Sequence, residues 1–216
     1  DEFFARIIRA GIDRKVVSVN NLRLVLSAKL QNLQTPQRSR YVAHRHYDLS
    51  TDLYRAMLDK RMIYSCGYWA SASNLDEAQE AKLSLVCRKL GLEPGMRVLD
   101  IGCGWGGAAR YAAENFGVEV TGITVSQEQH RIAEEVCQGL PVDIQVTDYR
   151  TLSGQFDRIM SIGMFEHVGY KNYRTYFRKA LDLLTPDGLF LLHTIGANRS
   201  GSITDPWIEK YIFPNS

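Results

Sequence analysis

The stretch Val98-Leu99-Asp100-Ile101-Gly102-Cys103-Gly104-Trp105-Gly106-Gly107 decides the fold. An apolar run carries an acid near its end and passes into a glycine-rich turn that opens a helix. Glycine takes positive φ without a steric penalty and lets the backbone come close to a ligand. The helix beyond offers unpaired N–H groups at its first turn. The spacing Gly102-x-Gly104-x-x-Gly107 meets the dinucleotide fingerprint, a pattern of low specificity by itself. Asp100 sharpens it, because dinucleotide folds keep an apolar residue two positions before the first glycine. A carboxylate there is matched to a cation, such as the ammonium on the methionine tail of S-adenosylmethionine, and ill matched to a pyrophosphate. A ligand-free strand-to-helix turn rarely needs the four glycines found between positions 102 and 107.

Working outward, the chain alternates strand and helix. Asn74 with Glu77 makes an N-capping pair for a helix reaching Leu90, with Gly91 as its stop. Strands are expected over 97–101, 119–124, 142–147, 156–162 and 189–194. Helices fall between them, near 106–116, from a second capping box of Ser126 and Gln129 to Gly139, and over 172–184. A turn at Thr185-Pro186-Asp187-Gly188 closes the last helix. Such alternation with short loops implies right-handed crossovers and a parallel sheet. Before it, apolar spacing predicts helices near 1–10, 21–33 and 46–58, with a polar linker at 35–41. The aromatic run from Met62 to Trp69 fits neither period.

Ligands in parallel sheets sit beyond the carboxyl ends of the strands, which makes a candidate site of five strand tips. Thr124, Val125, Ser126 and Gln129 follow the second strand. Their hydroxyls or amide could hold a ribose, where a nucleoside-binding fold usually places an acid. Asp148 and Tyr149 follow the third and could accept from an adenine amino group and cover its ring. A cap at Ser126 and a polar turn at Asp148 are the plain alternatives. Glu166 and His167 follow the fourth strand and His193 ends the fifth. Together they point to proton handling, with a metal site as the other reading. Tyr64, Tyr68, Trp69, Trp105 and Phe165 would supply aromatic walls for a cation, or ordinary packing.

Composition bounds these readings. The chain has 216 residues, 45% of them apolar, enough for one domain or slightly more. No apolar run approaches the ~20 residues that span a bilayer. The four cysteines lack metal-like spacing and read as free thiols. Net charge is +2, but residues 1–46 hold nine Lys or Arg against three acids, a basic arm on a mildly acidic body. An anionic partner, membrane or nucleic acid, or simply a solvated helical face would explain it.

Taken together, His46-Tyr47-Asp48-Leu49, Tyr64-Ser65-Cys66, residues 98–107, Thr124-Val125-Ser126, Asp148-Tyr149-Arg150, Gly163-Met164-Phe165-Glu166-His167-Val168-Gly169, Leu191-Leu192-His193-Thr194-Ile195-Gly196 and Asp205-Pro206-Trp207-Ile208 resemble the bacterial cyclopropane-fatty-acyl-phospholipid synthases, within the wider cyclopropane and mycolic acid synthase family. The resemblance implies a class I S-adenosylmethionine-dependent methyltransferase fold, a Rossmann-like parallel α/β sheet with helices on both faces. It implies a small basic helical segment over 1–40, part of a smaller N-terminal domain, and a catalytic domain over 41–216. Such sheets usually carry seven strands against the five counted here. The chain is therefore expected to stop before the last two strands and before a later site tyrosine of the family.

The implied reaction is methyl transfer from S-adenosylmethionine to a cis double bond of a phospholipid acyl chain, with bicarbonate taking the proton and a cyclopropane ring closing. By resemblance, Tyr64, Ser65, Asp100, Gly102, Cys103, Gly104, Trp105, Gly106, Gly107, Thr124, Val125, Ser126, Gln129, Asp148 and Tyr149 hold the cofactor. Cys66, Glu166, His193 and the Ile195 backbone hold bicarbonate, with His167 beside them. Implied partners are unsaturated acyl chains at an anionic membrane surface and no nucleic acid, with a homodimer left open. The implied location is cytoplasmic, on the inner face of the membrane. Alternatives are a lipid methyltransferase leaving a methyl branch, an amine methyltransferase, and a cofactor-binding module without turnover. An NAD-dependent oxidoreductase is disfavoured by Asp100 and Thr124.

Overall fold

The computed structural model describes residues 51–196 together with Arg6. The expected N-terminal helices, the 35–41 linker, the His46-Tyr47-Asp48 motif and the Asp205-Pro206-Trp207 motif lie outside these residues. The described elements are helix α1 (Thr51–Met57), α2 (Leu75–Leu90), strand β1 (Arg97–Ile101), α3 (Gly107–Phe116), β2 (Glu119–Thr124), α4 (Gln127–Val136), β3 (Val142–Val146) and β4 (Phe156–Ile162). After two 3-10 turns, Phe165–His167 and Tyr170–Asn172, come α5 (Tyr173–Leu183) and β5 (Leu184–His193).

Alternation along β1 explains the two-sided core. Side chains of neighbouring strand residues point to opposite faces. Val98 packs on one face with Leu83, Val86 and Leu90 of α2 and Ala109 and Ala112 of α3. Leu99 and Ile101 pack on the other with Ile123, Ile159, Tyr176 and Leu183. A strand buried on both faces must be apolar nearly throughout, and in β1 Asp100 is the exception. The five strands are all parallel, in the order β3-β2-β1-β4-β5. The order turns back at β1 and β4, and the crevice opens there beyond their carboxyl ends.

Capping chemistry sets the helix ends. Asn74 Oδ1 accepts from the Glu77 backbone N–H, while Glu77 accepts from the Ser73 N–H. Gly91 stops α2 in the left-handed region. The second box forms only one arm. Ser126 Oγ accepts from the Gln129 N–H at 3.2 Å, but the Gln129 side chain turns away and its Oε1 accepts from the Thr124 hydroxyl at 2.8 Å. The start of β5 also differs from expectation. Leu184 already pairs with Phe156 and Leu189 pairs with Arg158, so Thr185-Pro186-Asp187-Gly188 bulges out of the strand. Proline has no N–H to give a ladder and is tolerated in a bulge.

Candidate functional site: a cavity at the switch point and an adjoining polar cluster

The glycine turn after β1 forms the floor of a cavity of about 180 Å³. Gly102 and Cys103 both donate backbone N–H to the Ile123 carbonyl, which ties the turn to β2. Gly102 has φ +85°, and a Cβ there would meet the Met164 side chain at 2.7 Å. Gly104 has φ +55°, and a Cβ there would meet nothing within 4 Å. Gly102 is thus required by packing, whereas Gly104 leaves space for a ligand. Gly107 lines the cavity where the Arg61 carbonyl comes close, and Gly106 sits behind it against Ala133 and Cys137.

Asp100 lines the same cavity and is 2% exposed. Its Oδ2 is buried without a hydrogen-bond partner. Burial pushes this carboxyl up to about 7. A buried polar atom left unpaired calls for a reason, and an incoming partner is one. Thr124, Val125 and Gln129 line the wall from β2, and Asp148 and Tyr149 from β3. Ser126 stays behind as the α4 cap. Cys103, His167 and Trp105 complete the predicted set on the wall. Trp105 is 3% exposed, with Tyr54 of α1 packed on it at 4.7 Å between ring centroids.

Arg150, which the sequence places at the third strand tip without a role, is also a wall residue. Its guanidinium forks onto Asp148, Nε to Oδ1 at 2.7 Å and a terminal NH₂ to Oδ2 at 2.6 Å, and lies 5.2 Å from the Tyr149 ring centroid. Asp148 is therefore held from inside the wall. Three expected aromatic walls are not there. Phe165 stacks on Tyr173 at 4.3 Å and packs against Tyr176 and Phe177, while Tyr68 and Trp69 are exposed away from the cavity lining.

The segment 59–66 crosses the cavity edge, with Met62, Ile63, Tyr64 and Ser65 in the wall. The buried carboxylate of Asp59 accepts from the backbone N–H groups of Arg61 and Ile63. Met62 between them has φ +54°, unusual for a side-chain-bearing residue. From the other side, α2 holds the segment through Gln79 and Lys82, both nearly buried. Gln79 Nε2 donates to the carbonyls of Ile63 and Ser65, and Lys82 Nζ donates to Ser65 Oγ at 2.6 Å. Burial pulls the Lys82 ammonium down to about 8, against the opposing pull of Cys66 and Asp59. Neither residue stands out in the sequence, because polar residues inside an amphipathic helix read as its solvated face.

Cys66, Glu166, His193 and Ile195 fall outside the cavity lining, in a cluster beside it. Cys66 Sγ lies 3.6 Å from His193 Nε2, and Glu166 Oε1 accepts from the Ile195 N–H at 2.7 Å. His193 Nδ1 and Glu166 Oε2 are buried without partners. The expected oxyanion-holding groups thus come together as two pairs, each with one unsatisfied atom. The Ile195 amide is already committed to Glu166. The other three cysteines are free and buried, with thiols pushed up by burial, Cys87 to about 12 and Cys137 to about 11. Among the described residues no group of three or more His, Cys, Asp or Glu is placed to hold a metal.

Known proteins resemble this chain in sequence and in fold. The chain is 54% identical over 217 aligned positions to the cyclopropane-fatty-acyl-phospholipid synthase of Escherichia coli K12, covering 100% of this chain and 56% of the relative. The chain thus spans about half the length of the curated relatives it matches. The structure of the cyclopropane synthase MmaA2 from Mycobacterium tuberculosis superposes with a TM-score of 0.76 at 35% identity, covering 86% of this chain and 70% of that one. Mycolic acid cyclopropane synthase CmaA1, crystallised with S-adenosylhomocysteine and CTAB, gives 0.71 at 37% identity over 81% of this chain and 61% of that one. A family model described as mycolic acid cyclopropane synthetase matches residues 34–216. With a family model matched over residues 34–216 and 54% identity along the whole chain, the chain belongs to the mycolic acid cyclopropane synthetase family.

Proposed function

We propose that the chain binds S-adenosylmethionine in the switch-point cavity, and that the protein carrying it methylenates a cis double bond of an unsaturated phospholipid acyl chain to give a cyclopropane. The observation that carries the cofactor reading is Asp100, a buried acid with one unpaired oxygen beside the open space over Gly104. A cationic amino-acid tail satisfies that oxygen and restores the carboxylate to its charged form. Thr124 and Gln129 present hydroxyl and amide groups to a ribose, and Tyr149 with the Asp148–Arg150 pair presents a flat polar edge to a base.

The cofactor supplies an electrophilic methyl group. An alkene is a weak nucleophile, so orientation and exclusion of water carry much of the catalysis. Trp105 and Tyr64 flank the cavity, and Tyr54 packs on both rings. Ring closure requires loss of a proton from the entering methyl. Any strong side-chain nucleophile close by would trap the carbocation, so a small oxyanion suits the task better. Cys66, His193 and Glu166 fit bicarbonate, because His193 Nδ1 and Glu166 Oε2 both lack partners. His193 can donate to such an anion, and Glu166 can accept the anion's O–H. The basic stretch 1–46 supports docking on an anionic bilayer. No helix among the described residues is long and apolar enough to cross one.

The test is mass spectrometry of vesicles of unsaturated phospholipid incubated with the full-length protein, S-adenosylmethionine and bicarbonate. A gain of one CH₂ with resistance of that carbon pair to ozonolysis is expected. A methyl ester, a head-group methyl or an unchanged lipid overturns the proposal.

A further inference from the structure

We infer that Gln79 and Lys82, three residues apart on α2, are positioning residues: they hold the segment from Ile63 to Cys66 so that Ser65 faces the cavity and Cys66 faces His193. The inference rests on the cofactor reading above. Residues three apart share a helix face, and this face looks at the segment rather than at solvent. One side-chain amide of Gln79 serves two carbonyls, those of Ile63 and Ser65, as a strand partner would. Lys82 serves the Ser65 hydroxyl, which leaves Ser65 oriented from both its backbone and its side chain.

The rest of the segment cannot do this by itself. Asp59 fixes the turn only as far as the Ile63 amide, and the positive φ of Met62 makes that turn a strained start. Beyond it, the Tyr68 N–H to the Ala78 carbonyl is again a contact with α2. Between these anchors Gln79 and Lys82 supply side-chain hydrogen bonds from α2, beside the packing of Gly67 on Ala78. Burying a lysine among an acid, a thiol and a hydroxyl is unfavourable for folding. An apolar residue would fill the space at lower cost, so its presence is explained by what it holds. Lys82 lies outside the cavity lining, and its one side-chain hydrogen bond to the segment goes to Ser65, with an electrostatic pull from the neighbouring Cys66.

The test is isothermal titration of the chain with S-adenosylhomocysteine, comparing K82M, S65A and the double variant, with thermal midpoints measured alongside. K82M keeps the apolar stem and removes the donor and the charge. Its affinity is expected to fall about tenfold, more than any change in its thermal midpoint accounts for. The double variant is expected to lose no more than the weaker-binding single variant, because both remove the same contact. Affinity of K82M within about twofold of the parent, or losses that multiply in the double variant, overturns the inference while leaving the cofactor reading intact. A parent chain that fails to bind S-adenosylhomocysteine overturns both.

Discussion

Replacing Asp100 by asparagine tests the centre of the site, because it keeps the shape and removes the charge. In the folded chain burial lifts the Asp100 carboxyl to about 7 from its ordinary 3.8. The folded state therefore holds the proton more tightly than the unfolded chain does. Stability from this group is present below about pH 4 and is lost as pH rises towards about 7. At about 1.4 kcal/mol for each tenfold in proton affinity, the difference is worth about 4 kcal/mol, a large share of the roughly 5–15 kcal/mol that holds a domain folded. The D100N side chain cannot ionise, so the variant lacks that decline. Its buried amide leaves its own unpaired N–H groups, at roughly 1–3 kcal/mol, but this penalty does not vary with pH. The slope of stability against pH, not its level, is thus the clean readout.

Chemical denaturation from pH 4 to pH 8 should give curves for parent and D100N that converge at the alkaline end or cross, the parent falling by up to about 4 kcal/mol more. Titration with S-adenosylhomocysteine near pH 7, in buffers of different ionisation enthalpy, should show the parent releasing roughly half a proton per ligand and D100N none. Affinity of D100N should drop about tenfold to a hundredfold, the loss of one charge-assisted hydrogen bond. Parallel stability curves together with undiminished affinity would refute the assignment of Asp100 as the acid that meets the cofactor's cationic tail.

Two further outcomes separate the parts of the site. Alanine at Gly104 carries the left-handed penalty, about 1–2 kcal/mol, and should lower the thermal midpoint by a few degrees. Alanine at Gly102 adds a collision with Met164 and should lower it more. Only G104A should lose more S-adenosylhomocysteine affinity than its stability loss accounts for, as read by calorimetry beside thermal melts. In E166Q the new amide oxygen can still accept from the Ile195 N–H, so cofactor affinity should stay within about twofold. Turnover in the lipid assay should fall by about a hundredfold or more and lose its response to added bicarbonate.

Local signals carried most of the fold. Asn74, Gly91, Ser126 and the turn from Gly102 to Gly107 each dictate backbone geometry within a few residues, and the corresponding helix and strand ends fall where those residues stand. The early start of β5 was not legible, because Leu184 joins the sheet by pairing with Phe156, a distant partner that no local pattern names. The same holds in the site. Asp100 and the strand-tip residues could be read because strand ends in a parallel sheet converge by topology. Gln79 and Lys82 could not, because a polar side chain on a helix is buried only by what packs over it. Gln129 is legible both as half of a capping box and as a candidate cavity group, and tertiary contact with Thr124 decides between the two for its side chain.

Sheet order gives the site its direction. In the sequence β3-β2-β1-β4-β5 the glycine turn of β1 stands at the centre. Groups suited to ribose and base, Thr124, Gln129, Asp148 and Tyr149, come from the β2 and β3 side. The polar cluster, Glu166, His193 and Ile195, comes from the β4 and β5 side. On the proposed reading, a ligand lying across the tips meets its nucleoside partners at one end and the Glu166–His193 cluster at the other. Two short links join the compartments. Ser65 borders the cavity while its neighbour Cys66 contacts His193, and Gly163, in the cavity wall, donates its N–H to the His193 carbonyl. Ser65 and Cys66 are neighbours in the chain, so a shift of the 63–66 segment would move the cavity wall and the contact with His193 together. That coupling is why a substitution at Lys82, which lies outside the cavity lining but holds Ser65, should register in ligand affinity before it registers in stability.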